Sequence, residues 1–243
     1  MYTQKGFRKV KELDMEYEKI RKTCKEISRH LKHPEDRRMF KKKSAEMLYE
    51  VSVDSATGLK KFSYVRYLYE IVKPRIKRGK DVSVLFIDID NFKGVNENHS
   101  YEEADSLLNH TGEILNKALL ERAADIVSEQ TRRESRRENG KGIIKDIVAR
   151  YHEKGDELLV ILYGTDKEGA KTVADRIVNY VKNDSLFKHY GSGLTIGISS
   201  RNGCSELEHI IKNAEKALKY GKKNGKNSYH VDVEVLPVEV LTV

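Results

Sequence analysis

The chain predicts an α/β fold of the α+β kind: one mixed or antiparallel sheet with flanking helices, preceded by an N-terminal helical segment. Three observations carry that expectation. The runs Val82-Ser83-Val84-Leu85-Phe86-Ile87 and Leu158-Leu159-Val160-Ile161-Leu162 have the length and β-branched or aromatic content of buried strands. Longer segments around them repeat apolar residues at helical spacing. Carboxylates mark the strand ends, with Asp88-Ile89-Asp90 closing the first run and Asp156-Glu157 opening the second.

In chain order, residues 1–50 read as two charged helices with a thin apolar stripe of Val10, Met15, Ile20, Ile27 and Leu31. His33-Pro34 separates them, because proline disfavours helix in the residue before it. Such a stripe is too narrow for an independent core, so it is expected to pack on the rest of the chain or on a second copy. A helix over residues 60–78 leads into the strand ending at Asp88. A long helix over 101–127 places Leu107, Leu108, Ile114, Leu115 and Leu119 on one face. A strand over 143–151 follows, then an acidic turn in which Gly155 can supply a positive φ, then the second apolar strand.

Thr165 with Glu168 predicts a capping box for a helix whose buried stripe is Ala170, Val173, Ala174, Ile177, Val178 and Val181. Residues 194–198 read as a strand, Ser205 with Glu208 as the cap of a helix reaching about residue 223, and 229–233 as an edge strand. The pattern predicts helices on one face of the sheet.

With 243 residues there is room for one sizeable domain and an appendage. The formal net charge of +8 is uneven, since residues 1–50 hold fifteen Lys or Arg against nine Asp or Glu. Acids are interspersed there and aromatic residues do not cluster, so solvated helical faces are expected rather than a nucleic-acid surface. No apolar run is long enough to span a bilayer and the first residues do not form a signal peptide, which predicts a cytoplasmic protein without membrane contact. Cys24 and Cys204 match no metal spacing and read as reduced thiols.

If the two strands are neighbours, their carboxylates converge, and converged carboxylates repel unless a cation lies between them. Mg²⁺ takes one or two carboxylates plus substrate phosphates, the arrangement of nucleotidyl-transfer sites. Solvated turn acids are the alternative.

Asp88-Ile89-Asp90-Asn91-Phe92-Lys93-Gly94-Val95-Asn96, followed by Asp105-Ser106-Leu107-Leu108, resembles the signature of the GGDEF family of diguanylate cyclases. Lys154-Gly155-Asp156-Glu157-Leu158 falls where that family has its naming motif. Asp54-Ser55-Ala56-Thr57-Gly58-Leu59 is similar to its opening motif. Ala214-Glu215-Lys216-Ala217-Leu218 and Lys222-Lys223-Asn224-Gly225-Lys226-Asn227 are similar to its closing ones. The resemblance covers about residues 51–233. It implies a palm-type sheet and divides the chain into an N-terminal arm (1–50), a cyclase domain (51–233, with an insertion around 124–142) and a tail (234–243).

The resemblance further implies that Asp88, the Ile89 carbonyl and Asp156 hold Mg²⁺ or Mn²⁺, with Asp156 and Glu157 catalytic. Asn96 and Asp105 would read guanine; Lys222 and Lys226 would meet the triphosphate; Phe92, Lys93 and Gly155 would complete the nucleotide site. GTP is then the substrate, and because each site holds one nucleotide, a homodimer through the N-terminal helices is implied.

Departures from the family pattern are specific. Lys154 replaces the first glycine of the naming motif, Leu158 a phenylalanine, Lys226 an arginine, Tyr101 a histidine and Ala104 a glycine. His152 and Glu153 lengthen the hairpin, and an arginine-rich expansion centred on 132–137 precedes it. The family's product-inhibition motif, Arg-x-x-Asp, is absent: Ile143 stands at the arginine position, although Asp146 is present. Three other readings therefore stay open: a degenerate GTP- or cyclic-dinucleotide-binding domain, a palm cyclase like the CRISPR-associated polymerases making another cyclic oligonucleotide, and a non-enzymatic basic interaction protein.

Overall fold

A computed structural model describes residues 4–76, 81–134, 146–152, 155–202 and 205–232. Ile143, Glu153, Lys154, Cys204, the tail and the second half of the arginine-rich expansion lie outside these residues, as do the side chains of Val10 and Met15. The helices α1 (Gln4–His30) and α2 (Pro34–Val51) break where the sequence places the break, with Pro34 opening α2. The rest of the chain runs β1 (Lys60–Lys61), α3 (Phe62–Val72), β2 (Asp81–Asp90), α4 (Phe92–Asn98), α5 (Tyr101–Glu134), β3 (Ile147–Arg150), β4 (Glu157–Tyr163), α6 (Lys167–Asn183), α7 (Ser185–His189), β5 (Gly193–Asn202), α8 (Leu207–Asn224) and β6 (Tyr229–Val231).

The six strands form one mixed sheet in the order β1-β3-β4-β2-β5-β6, with parallel pairing at its two edges and antiparallel pairing between. Side chains alternate across β2. Val82, Val84 and Phe86 enter a core with residues of α3 and α8, while Leu85, Ile87 and Ile89 enter a second core with residues of α5 and α6. Helices therefore cover both faces, not one as expected from their number. The continuous apolar run of β2 is what a strand buried on both faces requires.

Local expectations are corrected in four places. Lys60 and Lys61 pair with β3 instead of opening the helix, which ends at Val72 and passes through a 3₁₀ turn over Lys73–Arg75. Asp166, not Thr165, caps α6 by accepting from the Gly169 amide at 2.9 Å. The Thr165 hydroxyl is diverted, receiving a bond from Arg122 and donating to the Tyr163 carbonyl. At α8 the cap position is Glu206, without a side-chain bond, because Glu206 and Glu208 reach Lys73 and Arg66 instead.

The arm packs on the domain through a residue outside its predicted stripe. Tyr17 is buried against Tyr64 and Tyr67 of α3, with ring centroids at 5.5 and 6.0 Å, and its hydroxyl donates to the Val51 carbonyl at 3.2 Å. Ile27, a stripe residue, is 43% exposed. The Lys60 ammonium lies 3.5 Å above the Tyr49 ring and ties α2 to the start of the domain.

Candidate active site

Antiparallel pairing sets Asp88 directly opposite Glu157, and Asp156 precedes that pair at the β3–β4 turn. The expected convergence of the two acidic clusters is thus a consequence of register. Alternation puts Asp88 and Asp90 on the face carrying Val84 and Phe86, the face that α8 covers rather than an open one. Helix α8 lies close because β5 has glycine beneath it: a Cβ at Gly197 would stand 2.0 Å from the Ala214 carbonyl oxygen. One turn beyond Leu218 on that helix, Lys222 reaches the acidic edge, where its ammonium pairs with Asp88 and lies 3.3 Å from Asp90.

The carboxylates differ in how they are satisfied. Asp90 is buried and accepts from the Thr195 hydroxyl at 2.8 and 2.9 Å and from the Asn227 amide at 2.9 Å. Burial pushes the Asp88 carboxyl up, against the pull of Lys222 and with the push of Asp90. Asp156 is pushed up to about 6, first by burial and then by the charge of Asp88. Glu157 is raised as well, by burial, Asp88 and Glu215. Three carboxyls stay raised although Lys222 pairs with Asp88 and the charges of Lys219 and Lys226 also reach the edge, which is therefore short of positive charge.

Such hard oxygen donors suit Mg²⁺ or Mn²⁺. Among the described residues no three His, Cys, Asp or Glu form a ready cage. An ion held by two carboxylates and substrate phosphates does not need one, so the residues fit the group.

The family of the chain follows from most of its length. A profile for the "Diguanylate cyclase, GGDEF domain" matches residues 51–131 and 137–228. The chain belongs to the GGDEF family. It is 29% identical over 203 residues to Diguanylate cyclase A of Treponema denticola, covering 80% of this chain and 48% of that protein. It is 24% identical over 185 residues to diguanylate cyclase DgcS of Shewanella oneidensis, covering 76% and 54%. The chain thus spans about half the length of these curated relatives. The crystal structure of diguanylate cyclase SiaD with its activator SiaC, from Pseudomonas aeruginosa, shares the fold at a TM-score of 0.61 and 18% identity, covering 90% of this chain and 76% of that one.

The remaining expected residues of this GGDEF domain take distinct positions. Asn96 lies on α4 and Asp105 in the second turn of α5, and neither side chain has an intramolecular partner among the described residues. Phe92 packs against the core, and Lys93 pairs with Glu97 at 3.4 Å on an exposed surface. Both residues lie in the first turn of α4. Asn91, ahead of that turn, has φ 62, and its amide lies so near Gly94 that a Cβ there would come within 2.5 Å. Gly155 does not take the positive φ expected of it. Lys226 is exposed just past α8.

Two networks carry no role in the sequence reading. Arg150 donates to the Gly155 carbonyl at 3.1 and 3.0 Å and to Asp54 at 2.9 Å, while Asp54 also accepts from the Thr57 amide and hydroxyl. This braces the acidic turn against the segment before β1. The signal was an arginine in the otherwise apolar Ile147-Val148-Ala149-Arg150. The second network joins Arg122 of α5 to Asp146 at 2.8 Å, while the other Asp146 oxygen accepts from the Tyr163 amide at 2.8 Å.

Proposed function

We propose that this domain condenses two GTP molecules into cyclic dimeric GMP with release of pyrophosphate. The observation that carries the reading is the edge formed by Asp88, Asp156 and Glu157, raised in pKa by burial and mutual repulsion beside Lys222. The curated relatives named above are diguanylate cyclases. In each half-reaction the 3′-hydroxyl of one GTP attacks the α-phosphorus of the other. A P–O bond forms to that oxygen as the bond to the pyrophosphate oxygen breaks.

Glu157, with its affinity for a proton raised, is the acceptor for the hydroxyl proton. Asp88, Asp156 and the Ile89 carbonyl would hold the divalent ions. When bound, these lower the pKa of the attacking hydroxyl and offset charge on the leaving pyrophosphate. Lys222 and Lys226 bind the triphosphate, with Phe92, Lys93 and Gly155 lining it through backbone. Asp105 accepts from the guanine N1–H and amine, and Asn96 pairs with the remaining edge.

Residues 51–233 are the catalytic unit in this reading and residues 1–50 the arm that brings two chains face to face. A GTP substrate places the domain in the cytoplasm. No helix among the described residues is long and apolar enough to cross a membrane. A second reading, a domain that binds nucleotide without turnover, is favoured by the Lys222 ammonium seated between Asp88 and Asp90.

Incubating the chain with each nucleoside triphosphate and Mg²⁺ or Mn²⁺, and resolving products by mass, separates the readings. Cyclic dimeric GMP from GTP alone, at a rate per chain that rises with protein concentration, is expected. GTP that binds and stays intact selects the second reading, and an adenine-containing product overturns the guanine assignment.

A further inference from the structure

The arm carries a groove that the proposed chemistry does not use. Helices α1 and α2 fold back on each other and enclose about 420 Å³ between Cys24 and Ser28 on one side and Phe40, Ser44 and Leu48 on the other. Lys25, Arg29 and Lys41 stand at its margin, all exposed, and the groove lining contains no acid. Two other lysines of the arm are answered by neighbouring glutamates, Lys22 by Glu18 and Lys42 by Glu46. Lys25, Arg29 and Lys41 have no carboxylate partner among the described residues. An apolar floor with an unanswered basic rim is complementary to an amphipathic segment whose polar flanks are acidic.

We propose that this groove docks an acidic amphipathic helix of a partner protein. Its floor along α2, from Phe40 to Leu48, is about two helical turns long, the span that anchors at i, i+3 or i+4, and i+7 of a docked helix need. A second copy of this chain is a poor occupant, because its arm brings the same excess of cations against the rim. A flat bilayer cannot follow a cleft between two helices. Ile27, Met39 and Met47, exposed and absent from the groove lining, remain for contact between two arms. Since α1 is packed on α3 through Tyr17, a docked helix would bear on the domain through that contact.

Cys24 makes the groove observable. In the full chain with Cys204→Ser, Cys24 is the single thiol, and its alkylation by a bulky maleimide reports whether the groove is filled. The probes are a synthetic amphipathic helix with leucine anchors and glutamate flanks, and its counterpart with lysine flanks. The glutamate peptide is expected to slow alkylation by roughly tenfold or more at low salt and less at high salt, and the lysine peptide to leave it unchanged. The surface triple variant Lys25→Glu, Arg29→Glu, Lys41→Glu should reverse that preference while GTP binding stays as in the parent, which separates this test from that of the cyclase reading. Equal protection by both peptides or by neither would overturn the proposal. So would protection that needs only a higher protein concentration, or only vesicles of anionic lipid.

Discussion

Two aspartate–cation pairs, both at the turn end of the β3–β4 hairpin, behave in opposite ways. Asp54 and Arg150 are each 8% exposed in their side chains, and although burial alone would raise the Asp54 carboxyl, bonds from Arg150 and Thr57 hold it below its ordinary value. Asp88 also has a cation, Lys222, yet burial together with Asp90 leaves its carboxyl raised. One N–H of the Arg150 guanidinium, a hydroxyl and an amide satisfy the first site. A single ammonium shared between Asp88 and Asp90, with Asp156 and Glu157 beside it, does not complete the second. The first pair is a brace; the second is a place where more positive charge is wanted.

The largest expected difference between them is in turnover. Asp156→Asn or Asp88→Asn should lower the initial rate of GTP conversion by about a thousandfold, the order seen when a group serving the developing charge is lost. Circular dichroism should show the fold retained. Stability should move the other way. Asp54→Asn leaves Arg150 buried without its carboxylate and should cost about 3 kcal/mol in urea unfolding. Loss of that brace without loss of stability would remove the contrast between the two sites.

Much of this was legible in the residues. Strand composition, the Pro34 break and the buried stripe of α6 each follow from local pattern, and they are where the structure has them. The acid convergence needed one further assumption, that β2 and β4 are neighbours. What local pattern could not carry is tertiary. Asp54 and Arg150 lie 96 residues apart, and the Thr165 hydroxyl was claimed by Arg122 instead of by the helix it precedes. Helices on both faces were written in the unbroken apolar run of β2, a signal outweighed by counting helices.

A smaller expected effect sharpens the substrate. Asn96 and Asp105, without partners among the described residues, should set base choice, so Asn96→Ala or Asp105→Ala should weaken GTP binding by about 1–3 kcal/mol with little effect on ATP. Equal affinity of the parent for GTP and ATP in calorimetry would remove their role. The smallest effect concerns product. Asp146 is held by Arg122 and the Tyr163 amide, and Ile143 replaces the arginine of the inhibitory motif. Adding cyclic dimeric GMP should therefore change the rate by less than about twofold, under roughly 0.4 kcal/mol. Strong inhibition relieved by Asp146→Ala would contradict this.

The contrast is tested most directly by unfolding free energy against pH for the parent, Asp156→Asn and Asp54→Asn, without divalent metal. The folded-state pKa of Asp156, about 6, lies above its ordinary 3.8, so its protonation favours the folded chain. That contribution is full below about pH 4 and is lost as pH rises through about 6. At pH 8, Asp156→Asn should then be more stable than the parent by about 1–2 kcal/mol, allowing for partial solvent screening, and the gain should shrink toward pH 4. Asp54→Asn should be less stable than the parent at pH 8, with the deficit narrowing only as pH falls through the depressed pKa of Asp54. If Asp156→Asn loses stability at pH 8 as Asp54→Asn does, the acidic edge is a structural brace and its reading as a cation-seeking site is wrong.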